Sequence, residues 1–277
     1  TCCCLPVFPP DAPKSPSVSV SPSGEITEGT SVTLTCSSDA NPAATYVWYK
    51  RNSQPLSKNP QLIFSSIQSS DSGQYYCTAV NKLGSTLKSI TIDVKYAPKP
   101  PSVSVSPSGE IKEGTSVTLT CSSDANPASA YVWYKINNQT PLSTDSQLSF
   151  KSIQPADSGE YYCTAENRLG TSTPTNISVD VKYAPKPPSV SVRPSGEIKE
   201  GTSVTLTCSS EANPAATYVW YKTNGRTPLS KEPQLAFRAI ERSDSGQYYC
   251  IAGNTVGRKT SEYTSINVKY APKSPSV

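Results

Sequence analysis

The segment Ser31-Val-Thr-Leu-Thr-Cys-Ser37 alternates polar and apolar residues without a break, which puts Val32, Leu34 and Cys36 on one face. A period of two, with β-branched residues in it, predicts a strand with one face buried and the other in water. Tyr46-Val-Trp-Tyr49 reads as a second, aromatic strand, and Leu62-Ile-Phe64 with Ile67 as a third. Tyr75-Tyr-Cys-Thr-Ala79 and Ile90-Thr-Ile-Asp-Val94 read as a fourth and a fifth. Turn signals punctuate them: a Pro-Ser-Gly ending at Gly24, Asp39-Ala-Asn-Pro42, Asp71-Ser-Gly73 and Asn81-Lys-Leu-Gly84. No stretch of useful length carries a helical period, so the expected class is all-β.

The same pattern occurs three times. Ser17 to Ile26 recurs unchanged as Ser102 to Ile111, and with Arg193 as its one change at Ser189 to Ile198. Glu28 to Cys36 recurs at Glu113 to Cys121 and at Glu200 to Cys208. The period, read from Cys36 to Cys121 and from Cys121 to Cys208, is the size of a domain rather than of a solenoid repeat. Each unit is therefore expected to own a core. The units differ in length in two places. Trp48 to Cys77 is shorter by one than Trp133 to Cys163 and Trp220 to Cys250. Cys77 to the closing Tyr96 is likewise shorter by one than Cys163 to Tyr183 and Cys250 to Tyr270. Insertions are tolerated in surface loops, so both stretches are expected to carry loops. Each unit ends in Lys-Tyr-Ala-Pro-Lys followed by Pro-Pro or Ser-Pro. These prolines predict short, extended junctions and a semi-rigid rod.

Cys36 and Cys77 share the core-facing parity of their neighbours. Trp48 follows the first at a spacing that is the same in all three units, and Tyr75 precedes the second by two. Cys121, Trp133, Tyr161 and Cys163 repeat this arrangement, as do Cys208, Trp220, Tyr248 and Cys250. The spacing resembles that of the immunoglobulin fold. The resemblance implies an inter-sheet disulfide, a Trp packed against it and a tyrosine corner in each unit. The short stretch between Trp and the second Cys leaves little room for extra strands, so constant-like sandwiches of about seven strands are expected. The organisation read from the sequence is a leftover or linker at 1–14, then domains at 15–96, 99–183 and 186–270. Residues 271–277 read as the start of a further repeat. Asp11-Ala-Pro-Lys14 reads as the close of an earlier one. A bridge across a loop of this size is worth roughly 4 kcal/mol in the chain-entropy model. Such bridges persist in an oxidising compartment, which implies secretory-pathway cargo.

Composition narrows the chemistry. The chain has no His, which removes Ser-His-Asp and Cys-His catalysis and His-ligated zinc together. The net charge of +4 is spread along the chain without a basic block, so no nucleic-acid partner is expected. No Gly-rich phosphate loop or metal-ligand cluster stands out, so no enzyme, cofactor or small-molecule substrate is expected. No apolar run reaches membrane-spanning length, so membrane attachment is expected only through a segment absent from this chain. No Met occurs, and the start of the chain lacks the pattern of a signal peptide, so the chain is expected to be a processed product or fragment.

Asn138-Gln-Thr140 and Asn176-Ile-Ser178 are N-glycosylation sequons, the first in a polar loop and the second at the start of the last strand. Asp71, Asp157 and Asp244 each open an Asp-Ser-Gly and read as turn residues rather than catalytic acids. Lys82, Arg168 and Arg258 read as charges near the tip of the hairpin between the last two strands. Solvated turn charge is preferred there over ligand contact. Tyr263 lies in a stretch similar to an inhibitory phosphotyrosine motif and reads instead as a sandwich aromatic. Cys2, Cys3 and Cys4 fall outside the repeats and read as the end of a neighbouring segment, with an intermolecular disulfide as the alternative.

Three stretches carry a closer resemblance: Glu28 to Pro42, Tyr46-Val-Trp-Tyr-Lys50 and Asp71-Ser-Gly-Gln-Tyr-Tyr-Cys77. Together they resemble the constant-like domains of siglecs, the sialic-acid-binding immunoglobulin-type lectins. Within that family the chain resembles the B-cell inhibitory co-receptor type, in a fish-like form with many repeats. Siglecs bind sialic acid through an arginine of an N-terminal variable-type domain. The corresponding strands here, Gly-Gln-Tyr-Tyr-Cys-Thr-Ala79 and its variants, hold no Arg. The resemblance therefore implies the stalk and no lectin site. The expected role is a non-catalytic ectodomain segment of a cell-surface immune or adhesion receptor, on the extracellular side of the plasma membrane or secreted. It would act as spacer and interaction module toward cell-surface or extracellular proteins and glycoproteins. The alternatives are a direct adhesion surface on these domains, and the outer part of a receptor tyrosine kinase or phosphatase.

Overall fold

The computed structural model describes residues 9–51 and 53–270. Cys2, Cys3, Cys4 and the expected repeat start at 271–277 lie outside the described residues. The chain forms three β-sandwiches in series. In the first, β1 (Ser17–Ser21), β3 (Val32–Ser37) and β6 (Gln61–Phe64) make one antiparallel sheet in the order β1-β3-β6. The facing sheet contains β4 (Thr45–Lys50), β5 (Pro55–Ser57), β7 (Gly73–Asn81) and β8 (Gly84–Ile92), in the order β5-β4-β7-β8. A short parallel pair, β2 (Ile26–Thr27) with β9 (Val94–Lys95), closes one side.

The alternation seen in the sequence becomes the core. Val32, Leu34 and Cys36 point inward from β3, and Tyr75, Cys77 and Ala79 from β7; all six are buried. Trp48 lies opposite Cys77 across the β4–β7 ladder and is fully enclosed. Each large apolar side chain of this kind contributes about 1.5–3 kcal/mol when taken from water. The bridge Cys36–Cys77 spans the two sheets, with Cα atoms 6.4 Å apart. Cys121–Cys163 and Cys208–Cys250 do the same in the second and third sandwiches, behind Trp133 and Trp220.

The two length changes have different outcomes. Between Trp and the second Cys, β5 of the first domain shrinks to single bridges, Trp133 with Ser143 and Trp220 with Ser230. This variable stretch is a loop and sheet edge, as expected from its variable length. The second change is not in a loop. It breaks the last strand, which is continuous in β8 but divided into Gly170–Thr171 and Thr175–Val179, and into Arg258–Thr260 and Thr264–Ile266. At each break a buried serine hydroxyl rejoins the ladder. Ser172 Oγ accepts from Ala165 N at 2.9 Å, and Ser261 Oγ from Cys250 N at 3.0 Å. A side-chain oxygen substituting for a carbonyl satisfies the amide that the extra residue would orphan.

Candidate functional site

The Asp-Ser-Gly motif is structural, and each of its residues has a task. Asp71 accepts from Gln68 N at 2.8 Å and caps the short 3-10 turn Ser69–Asp71. Its backbone carbonyl accepts the Tyr75 hydroxyl at 2.7 Å. Asp157 and Asp244 receive Tyr161 and Tyr248 at 2.5 and 2.6 Å. Burial first, and the neighbouring Asp charge second, push these three phenols up to about 12. Ser72 Oγ accepts from Val94 N at 3.0 Å. Gly73 makes room for a lysine that the sequence pattern does not single out. Lys50 Nζ donates to Ser70 O at 2.8 Å and lies 5.6 Å from the Tyr75 ring centre. A Cβ on Gly73 would meet Lys50 Cε at 3.1 Å. Lys135 and Lys222 repeat the contact in the other domains.

The junctions hold the next set of side chains. Tyr96 and Asn126 exchange two backbone hydrogen bonds, Tyr96 N to Asn126 O at 2.8 Å and the reverse at 3.3 Å. The Asn126 amide donates back to Asp93 Oδ1 at 2.6 Å and to Val94 O at 2.9 Å, while its oxygen accepts from Lys95 Nζ at 3.0 Å. Asn167 Nδ2 donates to Tyr96 O at 2.9 Å. The second junction repeats the arrangement with Tyr183, Asn213, Asp180, Lys182 and Asn254. The linker alanine packs against the hairpin: a Cβ on Gly170 would lie 3.3 Å from that of Ala97, and one on Gly257 would lie 3.0 Å from that of Ala184. The linkers are therefore bonded along their length to the domain that follows. Prolines favour this, because a chain already extended loses little freedom on docking.

The hairpin charges separate. Lys82 and Arg168 sit in two-residue turns at the hairpin tip, but Arg258 does not; it begins a strand, opposite Gly253. The tip position in the third domain is Thr255, because the shared Asn-x-x-Gly turn runs Asn254-Thr-Val-Gly257. Arg168 is a turn charge, half exposed, but it is paired. Its guanidinium forms a two-pronged ion pair with the Glu25 carboxylate of the preceding domain, one prong at 2.7 Å. The Arg168 hydrogen bond holds the Glu25 carboxyl below the usual carboxylate range. At the second junction the corresponding residues are Glu110 and Thr255, which cannot form such a pair.

Asn138 is exposed in the loop after the strand Ala130–Lys135, and its side-chain oxygen accepts from Thr140 N at 3.0 Å. Asn176 is exposed on the strand Thr175–Val179, opposite Tyr162. Tyr263 lies at the break in the last strand of the third domain, its ring edge-on to Tyr249 with centroids 5.5 Å apart.

Family models described as Immunoglobulin domain match residues 15–94 and 187–268, and residues 100–167. The chain belongs to the immunoglobulin-domain family. B-cell receptor CD22 of Mus musculus is 33% identical over 267 residues, which cover 95% of this chain and 30% of that protein. Neural cell adhesion molecule 1 of Homo sapiens is 28% identical over 298 residues, 90% of this chain and 34% of that one. The chain thus spans about a third or less of the length of these curated relatives. The full three-domain ectodomain of mouse nectin-like molecule 4 superposes with a TM-score of 0.56 at 20% identity, covering 91% of this chain and 99% of that one. At that identity the likeness is one of fold.

Within this immunoglobulin chain, sequence reasoning passes over the junction asparagines and the lysine after Tyr-Val-Trp-Tyr. The signal is present: Asn-Pro follows each first Cys at a constant distance. It reads as a turn, which it also is.

Proposed function

We propose that this chain is a stretch of the ectodomain of a cell-surface immune or adhesion receptor, working by spacing and binding rather than by catalysis. One observation carries the reading. The two junctions share the same set of hydrogen bonds, built on Tyr96 and Asn126 in one and on Tyr183 and Asn213 in the other. A bonded junction repeated in one direction sets successive domains in a defined order and holds whatever lies beyond them at a distance. Similarity to CD22 along 95% of the chain supports the finer reading, the stalk of a siglec-type inhibitory co-receptor in a many-repeat form. The partners are then proteins or glycoproteins of the cell surface, met on the extracellular side of the membrane.

Small-angle scattering of the purified chain tests the spacer. A compact globule of this length has a radius of gyration of about 19 Å. The expected value is well above that, with a rod-like distance distribution. A value near the globular one, from domains folded back on each other, overturns the reading.

A further inference from the structure

The three domains act as controls for one another, because they are nearly the same sequence on the same frame. On the outward face of the larger sheet, the residue opposite Val47 is Thr78, and that opposite Val132 is Thr164; opposite Val219 it is Ile251. One step further along the strand, Val80 and Glu166 become Gly253. The partners of those residues on the last strand are Ser85 and Thr171, but Arg258 in the third domain. Three departures thus fall side by side on one face of one domain.

Together they line a cleft of about 450 Å³ with Pro214, Val219 and Tyr221. Gly253 gives the arginine its place: a Cβ there would lie 3.2 Å from Arg258 Cγ, so the arginine stem lies across the glycine. Tyr221, Tyr249 and Tyr263 continue the surface as a ladder, with ring centres 5.4 and 5.5 Å apart, and Tyr263 is 63% exposed. Among the described residues Arg258 has no ion-pair partner, in contrast to Arg168. In the second domain the same face carries the Asn176 sequon beside Tyr162; the third domain has none there.

A guanidinium at the rim of an apolar, aromatic floor selects a carboxylate, which it binds with two parallel hydrogen bonds. The floor demands apolar atoms next to that carboxylate, and it disfavours a dianion that would lose its hydration against Val219 and Ile251. Tyr and Arg are also the residues that carry most binding energy at protein interfaces. We propose that this face of the third domain is a docking site for a partner protein, taking an acidic side chain flanked by apolar residues. The proposal rests on the chain being a protein-interaction module, but not on its rod shape, so the scattering test and the one below fail separately.

The test is an amide NMR titration of the full chain with acetyl-leucyl-glutamyl-leucine amide and with its glutamine counterpart. The expected result is a saturable shift at Ile251, Gly253 and Arg258, with none at Thr78, Val80, Thr164 or Glu166. Loss of the charge-assisted bond should weaken the glutamine peptide at least about tenfold. R258Q should remove the shift, and G253V, which installs the first domain's residue, should reduce it; unchanged amide dispersion elsewhere shows that both variants fold. Equal shifts with the two peptides, shifts that survive R258Q, or no shift at millimolar peptide would overturn the proposal.

Discussion

Arg168, at the hairpin tip of the second domain, grips both carboxylate oxygens of Glu25, far earlier in the chain, in the first. At the second junction the corresponding residues are Glu110 and Thr255, so this ion pair has no counterpart there. The shared asparagine and tyrosine bonds attach each linker to the next domain. Asn126 also reaches the first domain's own β9, and the Arg168–Glu25 pair adds a second tie between the bodies of the two domains.

R168A should therefore broaden the angular distribution at the first junction, and T255R, facing Glu110, should narrow it at the second. Scattering-based ensembles or single-molecule distances between labelled domains read both. Because the pair is exposed, neither change should move the melting temperature, and high salt should mimic R168A. The Glu25 carboxyl is depressed by its partner. The contact is thus complete above the ordinary glutamate range and is lost as pH falls through the lowered value. An angular distribution unmoved by R168A would remove the clamp from the account.

The tyrosine corners set an alkaline limit. Tyr75, Tyr161 and Tyr248 are pushed up to about 12, whereas an unfolded tyrosine titrates near 10. Between these values the unfolded chain has released the proton and the folded chain retains it, so stability is full below about pH 10 and falls as pH rises toward 12. Urea midpoints measured across that window should decline. Y161F should lower the stability of the second domain by about 1–3 kcal/mol, because the Asp157 carbonyl loses its donor. A flat urea profile from pH 10 to 12 would refute the burial of these hydroxyls in solution.

Asn138 and Asn176 are both exposed within intact sequons. Expressed in a secretory host, the chain should carry two N-glycans. N138Q and N176Q should each remove one, as counted by intact mass before and after enzymatic deglycosylation. The Asn176 glycan should shield the outward face of the second domain around Tyr162, and a hydrogen-exchange comparison of the two glycoforms reads that protection. A single glycan would restrict the prediction to whichever site is occupied.

Much of this molecule is legible in its sequence, for reasons that particular residues show. Val32, Leu34 and Cys36 declare a strand because alternation is local: a side chain's face follows from its parity. Trp48, at its fixed distance from Cys36, points to a sandwich because that spacing resembles the immunoglobulin fold. Arg168 and Arg258 group together in the sequence because both are cations following the last Asn of the strand. Counting from Asn254 shows that Arg258 is four residues on rather than one, past the tip and in the strand. The extra residue after the second Cys reads as loop because polar insertions usually are. It falls instead at a break in the last strand, which the buried hydroxyls of Ser172 and Ser261 bridge.

The sequence by itself determined the all-β class and the threefold repeat, which rest on periodicity and recurrence, and the sandwich core, which rests on a spacing that resembles the immunoglobulin fold. Only the tertiary structure decided that Asn126 and Asn213 join domains, that Arg168 reaches Glu25, and that Gly253, Ile251 and Arg258 meet on one face. Those contacts depend on how strands are registered and how domains are set on one another. Such distances are fixed by the packing of the whole chain and leave no period in the sequence.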